Sequence, residues 1–253
     1  MSDTPHRVNH EIRQRRLQVL RVTDLTPRMR RITLGGEELQ GFLSLGSDDH
    51  VKLLFALTAE QQQAIEARSL GRDGGARPTM REYTPRRIDL AHNELDIDFV
   101  LHGDGPASTW AAQATPGQVL HIAGPRASLV VPDVFDSYLL IGDETAIPAI
   151  ARRLEELPAG RQVVAVIQIE DEHERQVLTS KADVEVIWVL RHQQALLDRL
   201  RQLQLPRGSL YGWVALERSL TRQAKTLLLE KGVPEQALKA AAYWRLDGTA
   251  DDA

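Results

Sequence analysis

The chain has 253 residues, of which 42% are hydrophobic and 26% are charged, and its formal net charge is −4. This length allows two modest domains with real cores, and the charge excludes the global basic field that gathers nucleic acid. The chain contains no cysteine, which excludes disulfides, iron–sulfur clusters and thiolate metal sites. Any redox chemistry must therefore come from a bound cofactor.

Residues 1–16 are polar and contain several arginines, without the apolar core of a secretory signal. No apolar run approaches the about 20 residues that span a bilayer. We therefore expect a cytoplasmic protein that does not insert into a membrane. The eight histidines are scattered, without zinc-like or iron-like spacing to acidic partners, so no metal site is expected. The oligomeric state stays open, and a monomer is compatible with the sequence.

The first half of the chain has the pattern of short β-strands with Gly, Asp or Pro between most of them. Five or six such strands favour a small barrel. A Gln/Ala/Glu-rich excursion at 59–79 interrupts the pattern, and a helix is predicted at 106–114, between Pro106 and Pro116-Gly117. The predicted strands are 17–22, 31–34, 51–55, 95–101 and 119–122.

The hydrophobic periodicity changes near residue 132, which predicts two domains, 1–132 and 133–253. In the second half, apolar strands alternate with helical stretches. This alternation implies a parallel sheet covered by helices, with a dinucleotide site at the carboxyl ends of its strands. The strands are predicted at 138–141, 163–169, 184–189, 210–214 and 240–244, and the helices near 145–157, 192–204 and 217–231.

The segment Arg81-Glu-Tyr-Thr-Pro-Arg86 follows the excursion at the start of a strand. Alternation places Arg81 and Tyr83 on one face and Thr84 on the other, unless Pro85 or a bulge re-aims it. A guanidinium, an aromatic ring and a hydroxyl can bind a phosphate, stack on a flavin and hydrogen-bond a ring heteroatom. The alternative is a surface arginine and a packed tyrosine.

A second segment runs from Phe99 to Ala111. A strand is predicted to end at His102, Gly103 and Gly105 to form a tight loop, and a helix to begin with free backbone N–H groups near 107–109. Such a helix start suits a diphosphate. The alternative is a glycine turn before a capped helix, with His102 merely exposed.

Four motifs in order resemble the siderophore-interacting proteins, the ferric-siderophore reductase branch of the ferredoxin–NADP reductase superfamily. They are Arg81-x-Tyr83-Thr84-x-Arg86, His102-Gly-x-Gly-Pro-Ala-Ser-x-Trp110, Ala123-Gly-Pro-Arg126 and Gly142-Asp-Glu-Thr-Ala-Ile-Pro148. The resemblance covers nearly the whole chain, to Ala242-Tyr-Trp-Arg245. It implies an FAD-binding β-barrel domain followed by an α/β Rossmann-like NAD(P)-binding domain, and the NAD(P)H-dependent reduction of siderophore-bound iron.

The resemblance also implies which residues bind each ligand. Non-covalent FAD is expected at Arg81, Tyr83, Thr84, Arg86, Val100, His102, Ala107, Ser108, Thr109 and Trp110. The nicotinamide of NADPH or NADH is expected at Gly142, Asp143, Thr145, Ala146, Pro148 and Glu217. The anionic ferric siderophore is expected at Lys52, Arg126 and Arg245. For each of these three, the alternative is a solvated rim charge, and for Lys52 an outward residue on an alternating strand.

The turn at Gly142 lacks the G-x-G-x-x-G fingerprint, and Asp143 and Glu144 would repel a pyrophosphate placed directly on them. The alternative is a helix start capped by Thr145, with Pro148 in its first turn, and no ligand.

The strand at 213–214 departs from the family pattern. It runs into Ala215-Leu216-Glu217 where the family usually has a Gly-Glu pair. A Cβ at Ala215 and the bulk of Leu216 are expected to narrow the dinucleotide's approach, so that Leu216→Gly would lower the KM for NAD(P)H.

The choice of donor is open from sequence. Arg152, Arg153 and Arg175 are candidate readers of a 2′-phosphate, whereas the acidic run at 170–172 favours NADH. Two other functions also stay open. One is a flavin reductase or ferredoxin–NADP reductase-like carrier that passes electrons to a protein, and the other is a non-catalytic siderophore-binding flavin sensor.

Overall fold

The computed structural model describes residues 4–72 and 75–246. The chain forms two compact units, Thr4–Val131 and a second unit that begins at Pro132. Among the described residues, no helix has the length and apolarity required to cross a bilayer. Within the same ranges, no group of three His, Asp or Glu side chains is placed to hold a metal ion.

The first unit is built mainly from antiparallel strands. Its strands are β1 (His6–Asn9), β2 (Gln14–Thr26), β3 (Met29–Gly35), β4 (Val51–Phe55), β5 (Thr79–Tyr83), β6 (Arg87–Asp89), β7 (Glu94–Val100), β8 (Val119–Ala123) and β9 (Ala127–Val130). Its helices are α1 (Ala59–Ser69) and α2 (Pro106–Gln113).

Seven of these strands form one antiparallel sheet in the order β5-β4-β8-β2-β3-β7-β6, and β1 pairs with β9 separately. The two edge strands, β5 and β6, are consecutive in the chain and are joined only by residues 84–86. The sheet therefore curls until its edges approach each other, which confirms the predicted barrel. Its interior is closed by fully buried side chains, among them Leu17, Leu53, Ile97 and Phe99.

The excursion contains a helix because Thr58 caps it. The side chain of Thr58 accepts a hydrogen bond from the backbone N–H of Gln61, and Ala64 and Ile65 are buried. The strand β2 is longer than the predicted 17–22, because it pairs with β3 over its C-terminal part and with β8 over its N-terminal part. Strands as short as β6 carry too few residues for alternation to reveal them.

The second unit is an α/β layer. Its elements are β10 (Ser137–Gly142), α3 (Ile147–Glu156), β11 (Gln162–Ile169), β12 (Asp183–Leu190), α4 (Leu196–Gln202), β13 (Leu210–Glu217), α5 (Arg218–Glu230) and β14 (Leu238–Trp244). The strands are all parallel, in the order β12-β11-β10-β13-β14. The strand order reverses between β10 and β13, and ligands of such sheets bind at the carboxyl ends beside this point. The predicted α/β fold is therefore confirmed.

Candidate cofactor and substrate sites

The strand β5 presents the aromatic and basic residues of its motif on one face. It pairs with β4 so that Arg81 lies opposite Leu53 and Tyr83 opposite Val51. Arg81 and Tyr83 are half-buried, whereas their neighbour Glu82 is exposed on the other face. The predicted placement of Arg81 and Tyr83 on one face is confirmed, but the expectation that the motif starts a strand is wrong, because β5 ends at Tyr83 and leaves Thr84 outside it.

Tyr83 begins a row of aromatic rings that leads across the barrel to α2. Its ring centroid lies 4.5 Å from that of Phe99, which lies 5.7 Å from that of Trp110. Trp110 in turn lies 6.0 Å from Phe55. Burial raises the pKa of the Tyr83 phenol well above its ordinary value. Tyr83 is therefore neutral at physiological pH, and it offers an aromatic surface rather than a base.

Residues 84–86 connect β5 to β6, where the two edges of the sheet approach each other. Thr84 is 7% exposed, and its side chain has no hydrogen-bond partner among the described residues. The backbone N–H of Arg86 donates to the carbonyl oxygen of Asp96 at 2.8 Å. The guanidinium of Arg81 donates to the carbonyl oxygen of Met80 at 2.7 Å, a single exposed local bond. Thr84 and Arg81 thus retain polar groups that a ligand can use.

The start of α2 carries two open donors rather than three. The N–H groups of Ala107 and Ser108 have no partner within the described ranges, but the N–H of Thr109 donates to the carbonyl oxygen of Gly105 at 2.8 Å. The expectation of a free N–H at Thr109 is therefore wrong, because helical bonding begins at that residue. Ala107 and Ser108, with the positive end of the helix dipole, still suit an anion.

A hydrogen bond to Ser108 fixes the conformation of the loop before α2. Its buried hydroxyl accepts a hydrogen bond from the backbone N–H of His102 at 2.8 Å. A Cβ at Gly103 or Gly105 would meet no atom within 4 Å, so both glycines face open space. The His102 side chain is exposed, and Val100 ends β7 half-buried. Ser108 therefore contributes its N–H to the candidate anion site and its hydroxyl to the fold.

A cleft of about 460 Å³ adjoins the first turn of α2. Its walls come from the end of β4, from α1, from α2 and from β8, and they include Phe55, Ile65, Thr109, Trp110 and His121. Burial lowers the pKa of His121, with the Arg16 charge acting in the same direction. Sequence reasoning missed this cleft, since α1 brings in one wall from a segment without a motif.

These features of the first unit fit FAD. The aromatic face of Tyr83, the hydroxyl of Thr84, the Arg81 guanidinium and the two open N–H groups match the isoalloxazine ring and the diphosphate in chemistry.

In the second unit, the turn after β10 is tightly packed. A Cβ at Gly142 would lie 2.4 Å from the Cβ of Ala146 and 3.3 Å from the carbonyl oxygen of Ala215. Glycine is therefore required here for the approach of the turn to the neighbouring strand. Ala146 and Pro148 are buried at the start of α3, and the Ala146 side chain contributes to this packing.

Asp143, only 2% exposed, is the cap of this turn. Its carboxylate accepts from the N–H and the hydroxyl of Thr145, at 2.9 and 2.5 Å, and from Nε1 of Trp244 at 2.7 Å. The expectation that Thr145 provides the cap is wrong, because Thr145 is the donor. Trp244 belongs to β14, so this bond reaches over the end of β13 and spans the point where the strand order reverses.

Glu144 is neutralised by an arginine that the sequence analysis missed. Arg191 donates to Glu144 at 2.6 Å, to Glu170 at 3.1 Å and to the Gln168 side chain at 3.1 Å. His192 lies 2.7 Å from Glu170. The repulsion expected from Glu144 is therefore reduced, whereas Asp143 is bound by the neutral donors of Thr145 and Trp244. The available signal was a charged pair, Arg191-His192, shortly after the predicted apolar strand 184–189.

The residues of the family departure at β13 are buried. Leu216 and Ala215 are both 0% exposed, and Leu216 packs in the core of the second unit. Their burial favours a packing role for both side chains over the expected narrowing of the dinucleotide's approach, because a parallel strand covered on both faces directs its side chains into the two helix layers. The Glu217 carboxylate caps α5, accepting from the N–H groups of Ser219 at 2.6 Å and Leu220 at 3.1 Å.

The three arginines considered as readers of a 2′-phosphate all have partners. Arg152 pairs with Glu156 at 2.8 Å, and Arg175 with Glu172 at 2.6 Å. The guanidinium of Arg153 lies 4.9 Å from the centre of the Tyr138 ring. The acidic run 170–172 was expected to favour NADH by repelling a 2′-phosphate. This expectation is weakened, because Arg191 pairs with Glu170 and Arg175 pairs with Glu172.

Two of the three predicted substrate residues lie on one rim of the first unit. Lys52 in β4 is flanked by Glu82 in β5 and by Ala123 in β8. Arg126 is exposed three residues after Ala123, beyond a cis Gly124-Pro125 peptide bond. Arg245 lies in the second unit, directly after β14, and is half-buried.

We expect Asp143 and Glu144 to make a contribution to the stability of the second unit that falls as the pH rises above about 4. Burial raises the pKa of Asp143 above its ordinary value of 3.8, against the opposing hydrogen bonds from Thr145 and Trp244. Burial likewise raises the pKa of Glu144, and Arg191 opposes the rise. At these two sites the native state therefore binds more protons than the unfolded state in this window, and the stability that they contribute below it is lost as pH rises through their folded pKa values.

The Asp143→Asn substitution is expected to remove the contribution of Asp143 to this pH dependence of the free energy of unfolding. Urea unfolding at a series of pH values, followed by tryptophan fluorescence, measures the free energy of unfolding of wild type and variant. A variant with the wild-type slope over the whole window would contradict the prediction.

Comparison with known proteins identifies the family. Residues 18–129 match a family model described as the siderophore-interacting FAD-binding domain, and residues 135–247 match the siderophore-interacting protein model. The NADPH-dependent ferric-chelate reductase of Escherichia coli (strain K12) is 38% identical over 245 residues, which cover 95% of this chain and 96% of the relative.

Two further relatives agree. The ferric vibriobactin reductase ViuB of Vibrio cholerae is 30% identical over 91% of this chain and 89% of its own. The crystal structure of a siderophore utilization protein from T. fusca superposes with a TM-score of 0.85, at 33% identity and 97% coverage of both chains. The chain therefore belongs to the siderophore-interacting protein family, which its four motifs resemble.

Proposed function

We propose that this protein is an FAD-dependent reductase that uses NADPH to reduce siderophore-bound Fe(III) to Fe(II), which is then released. The observation that carries the proposal is its 38% identity, over 95% of the chain, to an NADPH-dependent ferric-chelate reductase. The residues that fit FAD support it. The cytoplasm, where NADPH is supplied, is the compartment we propose.

The overall reaction balances as NADPH and two ferric chelates giving NADP⁺, one proton and two ferrous chelates. Bound FAD supplies the conversion between a two-electron donor and a one-electron acceptor. Because Fe(II) carries less charge than Fe(III), oxygen-rich chelators hold it more weakly, and the iron leaves. The metal arrives already chelated, so the reaction requires no metal ligands from the protein.

The residues of the first unit would hold FAD along β4. Tyr83 lies opposite Val51 and Arg81 opposite Leu53, while the cleft begins at Leu54. With about 3.4 Å per residue, this order suits an extended dinucleotide. We propose the ring at Tyr83 and Thr84, the diphosphate at Arg81 and the two open N–H groups, and the adenosine in the cleft.

The nicotinamide dinucleotide is proposed to bind at the carboxyl ends of β10 and β13. This position follows from the reversal of strand order there. Asp143 and Glu217 would act through the backbone they cap, because their carboxylates are engaged within the protein. Arg191, at the end of β12, keeps Glu144 and Glu170 from repelling an anionic cofactor.

Reconstitution with FAD tests the function. The protein should turn yellow, NADPH should bleach it anaerobically, and a ferric siderophore should restore the colour with about two Fe(II) formed for each NADPH consumed. A protein that shows no flavin absorbance after reconstitution would overturn the proposal. Colour restored by a protein acceptor and not by ferric chelates would instead favour an electron carrier.

Removal of two rim charges tests the substrate site. We expect the Lys52→Met/Arg126→Met variant to raise the KM for an anionic ferric chelate on the order of tenfold at low ionic strength, because both cations attract the chelate. FAD content and the rate of bleaching by NADPH should not change. Added salt should reduce the difference by screening. Wild-type kinetics at low salt would show that these residues do not form the site.

A further inference from the structure

Glu82 places a carboxylate within the basic rim proposed for the ferric chelate. It lies on the outer face of β5, 55% exposed, and directly opposite Lys52. Its Oε1 lies 4.0 Å from Nζ of Lys52 and 3.5 Å from Nε2 of His50. Its chain neighbours, Arg81 and Tyr83, occupy the opposite face of the strand. The same five-residue strand thus carries residues for FAD on one face and a negative charge on the other.

This carboxylate lies close to the chelate site. Glu82, Lys52 and Ala123 are cross-strand neighbours on three adjacent strands, and adjacent strands are about 4.8 Å apart. Arg126 follows Ala123 by three residues. Any chelate that contacts Lys52 therefore lies within about one Debye length, about 10 Å at 0.1 M salt, of the Glu82 carboxylate.

Glu82 is expected to contribute little to folding stability. Its two ion pairs are exposed, with 52% exposure for the His50 side chain and 34% for that of Lys52. Exposed pairs at these distances contribute little to folding. In contrast, a fixed negative charge beside a site for anions acts directly on every anion that binds there.

We infer that Glu82 is a specificity-determining residue, which lowers the affinity of the site for highly anionic ferric chelates relative to neutral ones. This inference rests on the proposed function, and it adds the charge class of the substrate. Three catecholates around Fe(III) give a complex of charge −3, whereas three hydroxamates give a neutral one. Repulsion by one carboxylate scales with the ligand's charge, so it acts on the first complex and not on the second.

The experiment compares Glu82→Gln with the matched variant Glu60→Gln in the FAD-loaded protein. Glu60 is an exposed glutamate of the same unit, in the first turn of α1, which follows the other end of β4. The probes are Fe(III) complexes of synthetic hexadentate chelators, one a tris-catecholate and one a tris-hydroxamate. Their dissociation constants are measured by titration calorimetry at low and high salt, with FAD content measured for each variant.

We expect Glu82→Gln to bind the tris-catecholate complex on the order of tenfold more tightly at low salt. The gain should shrink at high salt, and the affinity for the tris-hydroxamate complex should stay within about twofold of wild type. Glu82→Lys should extend the gain, because it changes the local charge by two units. Glu60→Gln should bind both complexes as the wild type does.

Three outcomes would overturn the inference while leaving the proposed function intact. They are an unchanged affinity for the tris-catecholate complex, an equal gain for both complexes, and the same gain in Glu60→Gln. A wild-type protein that neither binds nor reduces either complex would overturn the proposed function, and this inference with it.

Discussion

Leu216→Gly is expected to lower the free energy of unfolding of the second unit by about 3–5 kcal/mol. Leu216 is 0% exposed in the core of this unit. Its removal leaves a cavity among packed side chains, and glycine adds backbone freedom to the unfolded chain. The KM for NADPH of the folded enzyme should not improve, because the leucine side chain does not face the proposed dinucleotide site.

Urea or thermal unfolding measures the loss, and Leu216→Met provides the control. Methionine conserves the volume of leucine, so this variant should lose less than about 1.5 kcal/mol. A Leu216→Gly protein with wild-type stability and a lower KM for NADPH would restore the steric interpretation of the Ala215-Leu216 departure. It would also mean that β13 turns this side chain toward the ligand.

Arg81→Ala is expected to weaken FAD binding by about 1.5–3 kcal/mol, or roughly 10- to 150-fold in Kd. The guanidinium has no acidic partner among the described residues, and its exposed bond to the Met80 carbonyl is replaceable by a phosphate oxygen. The fold should survive, because this bond is local and solvent-accessible. Titration of the apoprotein with FAD, followed by flavin fluorescence, measures the Kd directly.

Two variants make this result specific. Arg7→Ala removes the same charge from an exposed position on β1 of the same unit, and it should bind FAD as the wild type does. Arg81→Lys keeps the charge but loses the planar fork, so its Kd should fall between those of the wild type and Arg81→Ala. Wild-type FAD affinity in the Arg81→Ala protein would show that Arg81 does not bind the diphosphate.

Local pattern predicted much of the local structure around the proposed FAD site. The period of two along β5 correctly placed Arg81 and Tyr83 together, because alternation in a strand is a property of the backbone. Pro106 after a glycine loop correctly marked the start of α2. The prediction failed at Thr109, where the first helical hydrogen bond takes up the N–H. It also missed the aromatic row from Tyr83 to Phe55, because those rings come from four separate elements.

The sequence by itself determined the fold class, the family and the residue types of the FAD motif, since these depend on periodicity and on short segments. Only the tertiary structure decided what happens at the ends of the parallel strands. The bond between Asp143 and Trp244 joins residues 101 positions apart, and that between Glu144 and Arg191 joins residues 47 apart. The orientation of Leu216 was equally hidden, because a strand buried on both faces is apolar throughout and its sequence does not tell one face from the other.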